Sequence, residues 1–378
     1  MQRDADAVQI VDKFANSFFR QLFANDAIQV FQRMIIKIIF LSLRGTLMTN
    51  APIAHYSKIC QSVAATMLLM AMAPSASAAN IKVTPLGSHD GEFCAADRAL
   101  IFEDPDGTRI LYDAGRTVRG GADERLGKID GVLLSHVHGD HLGDLHQATA
   151  NAGTCAAPAM TQRVTPSSVT EEVVLAKKAK LFVGGEMASF FSTRIKAAGG
   201  TDDQVKLVRF GGTSMLGGVK IASVPAAHSN GLDPKFLSGS YAEGLTSNSL
   251  TAYVGPAGGY VLTFSNGLSV YLSGDTGITA DQELVVRRYF HPKLAVMNIG
   301  GTFSTGPAEA VYVIDDLIKP NTVIVSHANE ASTKGGQLLP GTRAMQFKSA
   351  AKVATVLPLS GQTMEFDANG ICMAGCKK

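Results

Sequence analysis

Three histidines and an aspartate fall within the six residues His136-Val137-His138-Gly139-Asp140-His141, directly after the apolar run Val132-Leu133-Leu134. Imidazole nitrogens and a carboxylate suit a borderline divalent cation, so the chemistry these residue types offer is metal binding. Their spacing supports it. His136 and His138 lie two apart, and extended backbone continuing past Ser135 projects both from the same side. Gly139 lets the chain turn, and Asp140 is placed to cap a following helix that carries His141. One turn can therefore serve two metals, the first through His136 and His138, the second through Asp140 and His141. A lone histidine is ordinarily a satisfied core or surface residue. Four potential ligands packed as H-x-H-x-D-H are different, because burying so many polar groups without partners would cost several kcal/mol.

Three later residues repeat the arrangement of a polar group at the mouth of an apolar run. His228 follows Val224-Pro225-Ala226-Ala227, Asp275 sits in Ser273-Gly274-Asp275-Thr276-Gly277, and His327 follows Ile324-Val325-Ser326. His89, in the loop Gly87–Gly91, reads better as a solvated loop histidine than as a pocket residue, and His146 and His291 have no motif around them.

The elements that must position these groups alternate. Strands are expected at 81–86, 99–103, 109–115 and 129–135, with the turn Pro105-Asp106-Gly107 punctuating the first three between 103 and 109. Helical periodicity follows at 167–180 and 186–198, with Gly199-Gly200 as a stop. Strands are expected again at 219–224, 250–254, 259–264 and 268–273. The last third reads as helix 281–289, strand 294–299, helix 307–318 with Pro307 at a first helical position, strand 322–325, helix 342–351 and strand 354–359. Two strand-rich sections each ending in helical material predict an α/β (α+β) fold, two stacked sheets covered by helices in a four-layer αββα sandwich. A faint internal echo accompanies this: Arg109–Asp113 resembles Ser269–Asp275, and Val132–His136 resembles Val323–His327.

The series H-x-H-x-D-H, a lone His, G-D-T-G and a strand-end His resembles the motif series of the metallo-β-lactamase superfamily and covers essentially all of residues 80–378. The resemblance implies that His136, His138 and His228 hold one metal, that Asp140, His141 and His327 hold the other, and that Asp275 bridges them. Asp113 matches the family's early aspartate, which supports the metal loop from behind. True β-lactamases carry cysteine or serine in place of the bridging aspartate, whereas Asp275 is present here. The stretches Asn298-Ile299-Gly300-Gly301, Gly306–Ala310 and Pro320–His327 are most similar to the branch containing ascorbate-6-phosphate lactonase. In that branch the final histidine is often followed by Tyr-Gly. Here Ala328 and Asn329 stand in those places, so the substrate is not to be copied from it.

The implied cofactor is a pair of divalent ions, Zn2+ ahead of Mn2+ or Fe2+, about 3.5–4 Å apart and sharing a hydroxide that attacks the substrate. Asp140 and Asp275 are the candidate catalytic residues, able to pass a proton to the leaving group. Two dications against two ligand carboxylates leave the site positive and favour an anionic small molecule: an ester, a lactone or a phosphodiester. The alternatives are an iron-dependent oxygenase or redox protein on the same fold, and a β-lactam hydrolase.

The whole sequence of 378 residues is 46% hydrophobic and 17% charged, with a formal net charge of +2. That composition supports a large globular core, and the near-neutral balance argues against a nucleic-acid partner. Residues 48–79 have the three parts of a signal peptide: His55 and Lys58, the apolar stretch Ser62–Ala73, and small residues to Ala79. A periplasmic or secreted chain of about 300 residues would remain after cleavage, without stable membrane insertion. Residues 1–47 then read as a leader or a gene-start error, with Met48 the initiator; Ile35–Leu41 is apolar but interrupted by Lys37. Export would place Cys94, Cys155, Cys372 and Cys376 in an oxidising compartment. Three disulfide pairings are possible, of which Cys94–Cys155 with Cys372–Cys376 asks least of the chain order.

Overall fold

The computed structural model describes residues 79–377. The expected leader and signal peptide thus lie outside the described residues, apart from Ala79. Among the described residues, fifteen strands build the two main sheets. In the first half they are β1 (Ile81–Pro85), β2 (Leu100–Glu103), β3 (Arg109–Tyr112), β4 (Gly131–Leu133), β5 (Lys180–Val183), β6 (Val205–Leu207) and β7 (Thr213–Leu216). The second half supplies β8 (Val219–Pro225), β9 (Gly258–Thr263), β10 (Ser269–Leu272), β11 (Leu294–Asn298), β12 (Thr322–Ser326), β13 (Ala354–Val356), β14 (Met364–Phe366) and β15 (Cys372–Ala374). One sheet runs β15-β14-β1-β2-β3-β4-β5-β6 and the other β13-β12-β11-β10-β9-β8-β7.

Strand alternation divides each sheet between two cores. Along β3, Ile110 and Tyr112 face the opposite sheet while Leu111 turns to the helices. Along β11, Leu294 and Val296 face the first sheet while Ala295 and Met297 turn outward. The central core between the sheets joins Val83, Phe102 and Leu133 to Ile221, Leu262 and Ile324. Outside the first sheet pack α2 (Val169–Lys177) and α3 (Met187–Ala197), which follow the single-turn helix α1 (Gly139–Leu142). Helix α4 (Gly239–Ser247) lies in the connection to the second sheet. That sheet is covered by a π-helical segment Gln282–Phe290, by α5 (Pro307–Tyr312) running on into a π-helical Val313–Ile318, and by α6 (Arg343–Ala350). The result is the expected αββα order.

Each sheet combines antiparallel strands (β1-β2-β3; β8-β9-β10) with parallel ones (β3-β4-β5-β6; β10-β11-β12-β13). The echo seen in the sequence is therefore an echo of topology. Parallel strands buried on both faces read as unbroken apolar runs, which is why Leu294–Met297 and Val323–Val325 were easy to place.

Several elements differ from expectation. The helical pattern assigned to 167–180 stops at Lys177, where Lys178 takes a left-handed φ of 53° and lets Lys180–Val183 form an interior strand, next to the edge, instead. The strand expected at 250–254 shrinks to Ala252–Tyr253, paired with Gly231–Leu232 away from both sheets. Short edge strands β6, β7 and β15 carry few buried side chains and so left little pattern to read. Cys94 is bonded to Cys155 and Cys372 to Cys376, the pairing that chain order favours. No helix among the described residues is long and apolar enough to cross a membrane.

Candidate metal centre

β4 delivers the chain to Ser135 and His136, and α1 turns it at once. Its cap residue is His138, with extended backbone and no side-chain cap hydrogen bond. Asp140 was expected to be that cap; instead it lies in the first turn with its carboxylate free to face the site. Gly139 is required here for space, since a Cβ would stand 2.6 Å from the Asp144 carboxyl. Asp144 is itself fixed by Arg116, at 2.7 and 2.9 Å, and by Lys235 at 3.0 Å.

Asp113, immediately after β3, orients two of the rings. Its Oδ1 accepts from the Ser135 amide and its Oδ2 from the Ser135 hydroxyl, each at 2.8 Å. With the hydroxyl proton so used, His136 Nδ1, 3.0 Å from Ser135 Oγ, must be the donor of that pair, and its Nε2 lone pair is left for the site. His141 Nδ1 lies 2.8 Å from Asp113 Oδ2, which turns His141 Nε2 inward in the same way. Asp113 adopts a left-handed φ of 42° to reach both partners.

The second sheet supplies the remaining groups from the ends of β8, β10 and β12. Asn230 ties the two loops, accepting from the Val137 amide at 2.8 Å and donating to the Gly255 carbonyl at 3.0 Å. The turn before Asp275 needs Gly274, which has a φ of 60° and only 2.6 Å between a would-be Cβ and the Gly258 carbonyl. His327 follows β12 with a φ of 52°.

All seven expected ligands converge. His136 Nε2, His138 Nδ1 and His228 Nε2 form one set, with His138 Nδ1 3.1 Å from the first and 3.2 Å from the last. Asp140, His141 and His327 form a second, and His136, His141 and Asp275 also meet. His327 Nε2 is 3.3 Å from Asp140 Oδ2, and His141 Nε2 is 3.7 Å from it. Asp275 faces both sets: its Oδ1 is 3.4 Å from His141 Nε2, and its Oδ2 is 3.1 Å from His327 Nε2 and 3.8 Å from His228 Nε2. Asp113 stands behind them. His89 bonds to Ser88 and Gly153 away from this cluster, and His146 to the Gln147 carbonyl.

The donor set fits a divalent cation. Tetrahedral nitrogen ligands about 2.05 Å from an ion stand about 3.3 Å apart, close to the spacing of the three-histidine set. His141 Nε2, Asp275 Oδ1 and His327 Nε2 are buried without a hydrogen-bond partner among the described residues, a costly arrangement unless something charged sits between them.

Electrostatics separates the two sets. Burial, reinforced by the neighbouring rings, pushes the pKa of His136 well below the usual histidine range and lowers those of His138 and His228, so these three present lone pairs at neutral pH. Burial opposes charge on His141 too, but Asp275, Asp140 and Asp113 outweigh it and lift its pKa well above the usual range. Burial likewise opposes ionisation of Asp140 and Asp275, and is overcome in both by His141 and His327, with Arg98 helping at Asp140. Both carboxyls are ionised.

The ligands open on a cavity of about 490 Å³ whose far wall includes Phe303, Asn329 and Arg343. Sequence reasoning missed these and missed Arg98, a buried arginine whose Nη2 is 3.3 Å from Asp140 Oδ2 and 2.6 Å from Asn329 Oδ1. None lies in a spaced motif, and Asn329 stands out in the sequence only as a departure from the family pattern.

Comparison with known proteins agrees with this geometry. A family model described as "Beta-lactamase superfamily domain" matches residues 108–328, from β3 to just past His327. A protein of Cupriavidus metallidurans named UPF0173 metal-dependent hydrolase is 32% identical over 248 residues, 64% of this chain and 71% of the relative. Another of that name from Methanopyrus kandleri is 28% identical over 226 residues, 59% of this chain and 77% of the relative. Among solved structures, Igni18, a metallo hydrolase of the archaeon Ignicoccus hospitalis, aligns over 76% of this chain and 99% of its own with a TM-score of 0.50 at 20% identity, a likeness of fold alone. The chain belongs to the metallo-β-lactamase superfamily. Within it, the protein is a metal-dependent hydrolase.

Proposed function

We propose that this protein is an exported two-metal hydrolase of a small anionic ester, lactone or phosphodiester. The observation that carries the reading is Asp275, whose two carboxylate oxygens face the three-histidine set and the Asp140/His141/His327 set at once. His136, His138 and His228 would hold one cation and Asp140, His141 and His327 the other. The chemistry such a pair supplies is acidification of water toward a nucleophile at neutral pH and Lewis-acid stabilisation of charge developing on the scissile oxygen.

The chain's own residues do the rest. Asp113 and Ser135 fix the ring orientations, so that His136 and His141 present Nε2 without reorganisation. Asp140, partly exposed at the cavity floor and ionised, is the carboxylate able to receive a proton from the attacking water and return it to the leaving group. Asp275 is more deeply buried and serves chiefly to hold the two sets in register.

The expected result is at least one divalent ion per purified chain and loss of activity on a panel of esters, lactones and phosphodiesters in His138→Ala. Protein with less than one ion per chain, or a panel activity untouched by that substitution, overturns the reading. Turnover that consumes oxygen would assign the site to oxygenase chemistry instead. Export belongs to the same proposal: N-terminal sequencing of secreted protein should begin near residue 79, and a mature chain starting before Met48 defeats it.

A further inference from the structure

The geometry points to an anion-binding subsite in the cavity wall, formed by Arg343 and Asn329, that reads a second negative group on the substrate, a carboxylate or a phosphate, away from the bond that is cleaved. It rests on the hydrolase reading above and adds the residues that select the substrate.

Arg343 is the first residue of α6, and its guanidinium is held from one side only. Nη1 donates to the Ala328 carbonyl at 3.2 Å and to Glu330 Oε2 at 3.3 Å, and the Arg343 amide donates to Glu330 Oε1. Nε and Nη2 have no protein acceptor among the described residues. That edge carries the two parallel N–H groups which match a carboxylate or phosphate in bidentate fashion. It faces the cavity: the heavy atom nearest a Cβ built on Gly301, another wall residue, is Arg343 Nε at 3.7 Å. Arg343 is also the one lysine or arginine among the described residues that line this cavity.

Asn329 adds a third donor with a fixed direction. Arg98 donates to its Oδ1 at 2.6 Å, so its Nδ2 must point the other way, toward Gly300. A Cβ at Gly300 would stand 2.5 Å from that Nδ2, so the glycine leaves the amide room. Asn329 holds this pose with a left-handed φ of 59°, a conformation asparagine tolerates better than most residues. Phe303, 77% exposed at the cavity rim, offers an apolar face beside the polar donors.

The test uses metal-loaded full-length enzyme and matched substrates: p-nitrophenyl hemisuccinate against p-nitrophenyl butyrate for a carboxylate, and a phosphorylated lactone against its unphosphorylated parent for a phosphate. Wild type should favour the charged member of at least one pair, and the pair that responds says which anion is read. Arg343→Gln should raise KM for that member about 10- to 100-fold, with the neutral member changing less than about threefold. Arg343→Lys should recover part of the loss, because charge returns without the bidentate edge. Asn329→Asp keeps the Arg98 contact and replaces the donor with a negative oxygen, so it should penalise the charged member alone.

If Arg343 merely props the chain beside His327, Arg343→Gln will lower kcat equally on both members and reduce bound metal measured by elemental analysis; either result overturns the proposal. Equal turnover of charged and neutral members by wild type also overturns it while leaving the hydrolase reading intact. A metal-loaded wild type that cleaves no substrate sinks that reading and this subsite with it.

Discussion

His136, His138, Asp140 and His141 come from one turn after β4, whereas His228, Asp275 and His327 stand at the ends of three strands of the other sheet. The first group is arranged by local geometry: an extended cap residue, a glycine pressed against Asp144, and one turn of helix. The second is arranged by register: β8 and β10 each run antiparallel to β9 and so point the same way, and β10, β11 and β12 run parallel, which brings the C-terminal ends of β8, β10 and β12 to one edge of the sheet. The contrast has an energetic side. The three-histidine set gathers rings whose charging burial disfavours, while His141 is surrounded by three carboxylates. One set offers a cation neutral lone pairs; the other gathers carboxylate charge around a single ring. Asp275, the expected bridge, turns its carboxylate toward both.

Removing Asp275 should therefore have the largest effect, since it disturbs both sets at once. Asp275→Asn keeps the shape and halves the acceptor capacity, and the expected result is loss of at least one bound ion per chain with activity down by roughly 10³-fold or more. Metal analysis alongside kinetics checks this. Full occupancy with near-normal turnover would show that Asp275 faces both sets without joining them.

A smaller and one-sided effect is expected behind the ligands. Asp113 touches His141 directly but reaches His136 only through Ser135. Asp113→Asn should weaken metal binding by about 10- to 100-fold, chiefly at the set containing His141, and Ser135→Ala should weaken the three-histidine set by less. Titrating metal-free protein with Co2+ separates the two sets by their absorption spectra. Equal weakening of both by Asp113→Asn would mean that the aspartate sustains the fold of the whole loop rather than one ring.

The same contrast explains what was legible in the sequence. The dense turn announced metal by itself, whereas His228, Asp275 and His327 gained meaning only through their order behind it. The layered architecture followed from buried parallel strands such as Leu294–Met297, whose apolar runs are hard to mistake. β5 was lost because helical periodicity ran into it across Lys178, a non-glycine residue that ends the helix with a left-handed backbone no propensity would suggest. Arg98, Asn329 and Arg343 were lost for a different reason. Their roles depend on which loops meet at the cavity, and a single arginine or asparagine carries no spacing that says so.

The smallest expected effect falls on stability and tests whether the first turn is held as locally as it looks. Asp144 is almost wholly buried beneath Gly139 and paired with Arg116 and Lys235, neither of which is a metal-site residue. Burial alone would raise its pKa, but the hydrogen bonds from Arg116 and Lys235 outweigh it and hold the carboxyl below the usual range. A carboxylate depressed in the folded state contributes stability that is present above its unfolded pKa, about 3.9, and is lost as pH falls through the lower folded value. Asp144→Asn should thus cost about 1–3 kcal/mol at pH 7, and the difference from wild type should close as pH drops below about 4. Denaturant unfolding at pH 7 and pH 3 measures it, with metal content followed in parallel at pH 7. A difference that persists undiminished at low pH would assign the loss to packing against Gly139 instead of charge. A loss of bound metal at pH 7 without loss of stability would show that the turn depends on Asp144 for its ligand geometry more than for its fold.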